Sequence, residues 1–136
     1  MISGLVLIGL FSIHGELKMK MTGECIAPLE IISERGGYYL IKLQDSKDAS
    51  KYLTIFIHGG EIIILKVPLG SYILKYAYGK KWYGYKHYFG KETLYSKANE
   101  TFDFKLINNQ ASGYTITLYT VAGGNLQTHN INPEEF

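Results

Sequence analysis

The 136-residue chain holds one cysteine, three prolines and no apolar run approaching the ~20 residues a membrane-spanning helix requires. Each shortage excludes something. Cys25 alone cannot build an intrachain disulfide framework, and no second cysteine stands near it to complete a zinc-ligand pair. Its expected role is that of a small, at least half-buried hydrophobe. Charged residues make up 19% of the chain with a net charge of +2, too small a surplus to argue for nucleic acid. The four histidines (His14, His58, His87, His129) lie far apart, with neither His-x-x-x-His nor His-x-Glu spacing. That excludes a preassembled metal site, and no cofactor is expected. There is no nucleophile elbow and no glycine-rich phosphate loop opening a helix. The carboxylates (Glu30, Glu34, Asp45, Asp48, Glu61, Glu92, Glu100 and Asp103) are scattered over turns and polar faces rather than paired for acid–base work. A noncatalytic protein is expected. The alternative is a small hydrolase whose site assembles from distant residues.

What the chain has is fifteen glycines, twelve tyrosines and many β-branched residues, within a hydrophobic fraction of 46%. β-Branched and aromatic side chains suit pleated surfaces, and glycines punctuate the turns between them. The length suffices for one domain with its own core. Apolar–polar alternation and turn chemistry predict strands over residues 29–33, 38–43, 52–57, 61–67, 72–78, 101–107, 114–121 and 126–131. The period of two is plainest in 72–78, where Tyr72, Leu74, Tyr76 and Tyr78 share one face. The isoleucine-rich 61–67 reads as a central strand, joined to 52–57 in an antiparallel hairpin through His58-Gly-Gly60. Phe102, Phe104 and Leu106 are expected to face inward, and 88–99 has the best remaining claim to a helical turn. The tail 132–136 reads as loosely held. Seven or eight short strands imply an all-β domain: a single small β-sandwich, Ig-like or transthyretin-like, or a partly open barrel.

Residues 1–13 form an uncharged apolar run. Three readings stand open: part of a longer membrane anchor or signal, a short atypical signal, or a buried first element of a soluble domain. Composition favours the anchor. The expected organisation is an apolar segment over 1–15, a linker over 16–28 and the sandwich over 29–136. The corresponding address is a bacterial cell envelope, membrane-associated, with a soluble cytoplasmic domain as the alternative.

The stretch Val67-Pro-Leu-Gly-Ser-Tyr-Ile-Leu-Lys-Tyr76 resembles the proline, glycine, tyrosine and alternating-strand signature of PEGA and carboxypeptidase-regulatory-like sandwich domains. Here Leu69 separates the proline from the glycine. That resemblance implies a loop delivering a tyrosine into the core. A second likeness spans most of residues 36–136. It rests on Phe56-Ile-His-Gly-Gly60, Lys66 to Tyr72, Trp82-Tyr-Gly84, Phe89-Gly90 and Ser96-Lys-Ala98. These are similar to an uncharacterised bacterial all-β module that often ends longer proteins, and the likeness implies a module-like role.

The candidate binding residues are Lys80, Lys81, Trp82, Tyr83, Tyr85, Lys86, His87 and Tyr88. They form a loop that interleaves aromatic rings with cations. Tyrosine and tryptophan give large contact area at little rotamer cost, and lysines attract anionic groups. The expected partner is a protein or envelope component. The near-neutral charge argues against nucleic acid, which stands as the alternative partner. The bland alternative is that the loop folds back over an open end of the sandwich and its rings supply core.

Overall fold

The computed structural model describes residues 13–118 and 126–136. The apolar run at 1–13 lies outside the described residues except for Ile13, as do residues 119–121 of the strand expected over 114–121. Among the described residues no helix is long and apolar enough to cross a membrane.

The fold is an all-β sandwich. Eleven strands are described: β1 (Leu17–Lys20), β2 (Cys25–Ser33), β3 (Tyr38–Asp45), β4 (Tyr52–His58), β5 (Ile62–Pro68), β6 (Gly70–Gly79), β7 (Leu94–Phe104), β8 (Leu106–Ile107), β9 (Gln110–Ala111), β10 (Tyr114–Leu118) and β11 (Thr128–Asn130). A wide sheet has the order β1-β4-β3-β6-β7-β11, and a narrow one the order β10-β2-β5. The pair β8-β9 forms a separate ribbon. All pairings are antiparallel except β2 with β10, which run parallel.

The period-two pattern assembles the main core. Tyr39, Ile41 and Leu43 of β3, Leu53, Ile55 and Ile57 of β4 and Tyr72, Leu74 and Tyr76 of β6 project from the wide sheet. They meet Leu29 and Ile31 of β2 and Ile116 and Leu118 of β10. Tyr72 is fully buried, and its hydroxyl donates to the Pro68 carbonyl oxygen at 2.8 Å, tying the turn to the strand it feeds.

Several sequence expectations are corrected. β4 and β5 do not form a hairpin: β4 pairs with β1 and β3, while β5 pairs with β2 in the other sheet. The His58-Gly-Gly60 stretch is instead a corner between sheets. There the Gly59 amide donates to the Gly37 carbonyl oxygen at 2.7 Å, and a Cβ on Gly59 would stand 2.6 Å from that oxygen. Two chain crossings pack backbone on backbone, which only glycine permits. Nor is β5 central. It is an edge strand whose Ile62 and Ile64 face outward, 56% and 71% exposed. Residues 94–99 belong to β7, and helical character in that region is limited to a 3₁₀ turn over Gly90–Glu92. Leu106 does not face the core but stands exposed in the β8–β9 ribbon. The turn of that ribbon places Asn108 and Asn109 at φ of 51° and 64°, the left-handed pair of a type I′ hairpin. The stretch expected to link the apolar run to the domain supplies β1 and the start of β2. Finally, the tail is anchored: Pro133–Glu135 form a 3₁₀ turn with an Asn132–Glu135 capping box.

Candidate functional site

The aromatic–basic loop leaves β6 at Gly79 and doubles back over the outer face of the wide sheet rather than over an end of the sandwich. That face presents Leu40, Phe56 and Ala77, and on them Trp82 and Phe89 pack as a second, smaller core. Trp82 and Phe89 are each only 3% exposed. The Trp82 ring centroid lies 4.8 Å from Phe56, 5.0 Å from Tyr85 and 5.2 Å from Phe89. Gly79 makes this seat possible, since a Cβ there would overlap Cβ and Cγ of Phe89.

The loop is tightly hydrogen-bonded. The Tyr83 amide donates to the Tyr88 carbonyl oxygen and the Tyr88 amide to that of Gly84, both at 2.7 Å. Tyr88 takes a φ of 53°, uncommon for a residue with a Cβ, where the chain reverses. Thr93 closes the far end, its Oγ1 accepting from the Phe89 amide at 3.0 Å and donating to the Gly90 carbonyl oxygen at 2.6 Å.

This geometry divides the candidate residues. Trp82 is core. Lys80, Lys81 and Lys86 are exposed; Tyr83 and His87 are half-buried at the loop surface. The Tyr85 hydroxyl donates to Glu16 Oε1 at 2.8 Å, and Lys18 Nζ stands 3.8 Å above the Tyr85 ring. Tyr88 packs edge-on against Phe136, and burial raises the pKa of its phenol. An open cleft of about 730 Å³ lies beside the loop, lined by Lys80, Lys81, Tyr83, Lys91, Tyr78 and Leu94 among others. Among the described residues no group of three His, Cys, Asp or Glu side chains could hold a metal ion.

Sequence reasoning missed a second arrangement on the same face. Strand register sets Lys18 opposite Thr54, Thr54 opposite Lys42, Lys42 opposite Lys75, Lys75 opposite Lys97, and Lys97 opposite His129. One cross-strand row therefore runs over all six strands, about 24 Å at ~4.8 Å per strand. Three neighbouring positions in it are lysines. Directly opposed like charges destabilise a sheet. Burial, and then repulsion from Lys75, lowers the pKa of Lys42; Lys75 is lowered by burial and by Lys97, with Glu135 acting the other way. Among the described residues none of these lysines has an Asp or Glu side-chain carboxylate in ion-pair reach.

The tail follows this row. Lys75 Nζ donates to the Glu135 carbonyl oxygen at 2.5 Å and Lys42 Nζ to a main-chain oxygen of Phe136 at 2.9 Å. The Phe136 ring rests against Tyr88 and Tyr95. Beyond it the row continues into a groove of about 260 Å³, lined by Lys18, Lys20, Lys42, Tyr52, Tyr85 and Tyr88 together with Leu40, Thr54 and Phe136.

No protein-family description, curated protein or solved structure matches this chain.

Proposed function

We propose that this domain is a noncatalytic binding module that contacts a protein or envelope component through the exposed rim of the 80–91 loop. The observation that carries the reading is the division of labour within the loop. Trp82 and Phe89 are spent as anchors in the small core, while Lys80, Lys81, Tyr83 and Lys91 line an open cleft beside them. A loop fixed from below loses little conformational entropy on binding, so its presented side chains act as a preorganised surface. The apolar composition of residues 1–13 supports tethering at a bacterial envelope membrane. The likeness to envelope sandwich modules supports the same reading.

The test is recovery of partners from native membranes with the full chain and with a K80E/K81E/Y83S variant. The variant is expected to lose a partner that the wild type retains, with its near-UV circular dichroism unchanged. Equal recovery by both would overturn the reading. Trp82→Ala serves as the fold control, since it should weaken the loop itself rather than the contact alone.

A further inference from the structure

Across the outer face of the wide sheet, the six-strand row has an occupied half and an open half. The occupied half holds Lys42 and Lys75, covered by main-chain oxygens of Phe136 and Glu135. The open half is the groove between Lys18, Lys20 and Lys42, with Tyr52, Tyr85 and Tyr88 around it. Lys18 and Lys20 are exposed, project from the same face of β1 and belong to an edge strand. Residues two apart on a strand stand about 6.8 Å apart, the same interval that separates alternate side chains of another extended peptide.

We propose that this open groove binds an acidic, aromatic-bearing peptide segment of a partner protein, with alternate carboxylates on Lys18 and Lys20 and an aromatic side chain against Tyr52 and Tyr85. The chemistry is complementary on three counts. Lys18 and Lys20 have no Asp or Glu side chain in ion-pair reach among the described residues. The rings at hand are already arranged under cations, Lys18 Nζ at 3.8 Å from the Tyr85 centroid and Lys42 Nζ at 4.5 Å from that of Tyr52. The chain's own Pro133-Glu-Glu-Phe136 segment lies on the adjoining part of the row, so the surface accepts a peptide main chain and a phenylalanine ring. A polyphosphate backbone would satisfy the lysines equally, but it leaves no part for the seat of Phe136. The groove is distinct from the Lys80–Lys91 cleft, and the inference does not depend on that surface.

The experiment uses the full chain and a fluorescein-labelled hexapeptide Glu-Ser-Glu-Ser-Phe-Ser, whose glutamates and phenylalanine share one face when extended, followed by anisotropy at low and physiological salt. Binding is expected, weakening by about tenfold or more in K18Q/K20Q, in a glutamine-for-glutamate peptide, or at the higher salt. K66Q/K105Q, at exposed lysines outside both clefts, should bind as the wild type does, and K18Q/K20Q leaves the loop rim untouched, which keeps failure here distinguishable from failure of the loop-rim contact. Four results would overturn the proposal: no binding at low salt, equal binding of the glutamine peptide, undiminished binding by K18Q/K20Q, or tighter capture of single-stranded DNA or a sulfated glycan at the same groove. Aggregation of K18Q/K20Q with unchanged peptide binding would assign these lysines to edge-strand protection alone and overturn it equally. Because both lysines are exposed on β1, the variant is expected to fold; coincident far-UV spectra check this.

Discussion

The Tyr72 hydroxyl donates a hydrogen bond to the carbonyl oxygen of Pro68, four residues back and 2.8 Å away, from a side chain with no exposed surface. The bond spans the turn between β5 and β6, and therefore the point where the chain passes from the narrow sheet to the wide one. Tyr72→Phe keeps the ring against Phe104 and removes only this bond. We expect a loss of about 1–2 kcal/mol, because the Pro68 oxygen is then buried without its partner. Urea unfolding at neutral pH measures it.

The same phenol should make the domain sensitive to alkali. Burial raises the Tyr72 pKa to about 12, with Asp45 and Cys25 adding to the effect. The folded state thus holds the proton more tightly than the unfolded chain, whose phenols titrate near pH ~10. The stability this contributes is complete below pH ~10 and is lost as the pH climbs from there towards 12, on the order of 2 kcal/mol. Urea midpoints taken across that window should fall for the wild type and fall less steeply for Tyr72→Phe.

Gly79→Ala tests the seat of the loop. The added methyl would overlap Phe89, whose backbone is held by Thr93 and cannot simply withdraw. Overpacking of this kind costs about 1–3 kcal/mol. The strain falls on the small core, so the emission of Trp82, the sole tryptophan, should shift to longer wavelength. Far-UV circular dichroism should barely change.

Tyr39 supplies the opposite expectation. Its hydroxyl is buried and, among the described residues, has no hydrogen-bond partner. Burial drives its pKa strongly upward. Tyr39→Phe removes a desolvated polar atom while keeping the ring among Tyr76 and Tyr78. Thermal unfolding should show a variant at least as stable as the wild type, with a gain of up to about 1 kcal/mol. A lowered melting temperature would show that the hydroxyl has a partner in solution.

The strand at 72–78 was legible by its alternation, and those at 38–43 and 52–57, apolar on both faces, by their β-branched and aromatic content between glycine and polar turns. Pairing was less legible. Ile62 and Ile64 look like core residues by type, yet their outward position follows from the register with β2, which sets them opposite Ile32 and Glu30 on the outer face of the narrow sheet, a tertiary fact with no local signature. Ser96-Lys-Ala-Asn-Glu100 has helix-compatible composition, but pairing with β6 and β11 outweighs so weak a preference. The loop at 80–91 was visible as aromatic and basic. Which of its rings turn inward was not, since irregular backbone has no period to separate two faces. The lysine row was hidden for a different reason: each member lies in a different strand, and only the register aligns them.

The parallel pairing of β2 with β10 has a consequence for how the molecule is made. The two strands meet across a sequence separation of 85 residues, as between Glu30 and Thr115. A growing chain can align β3, β4 and β6 early, because all three are complete by Gly79. It cannot complete the narrow sheet until residues 114–118 have been synthesised. The part of the main core supplied by Ile116 and Leu118 is therefore added last, and so long a loop closure is slow. Chaperone occupancy on stalled nascent chains should persist until β10 clears the ribosome exit, then drop.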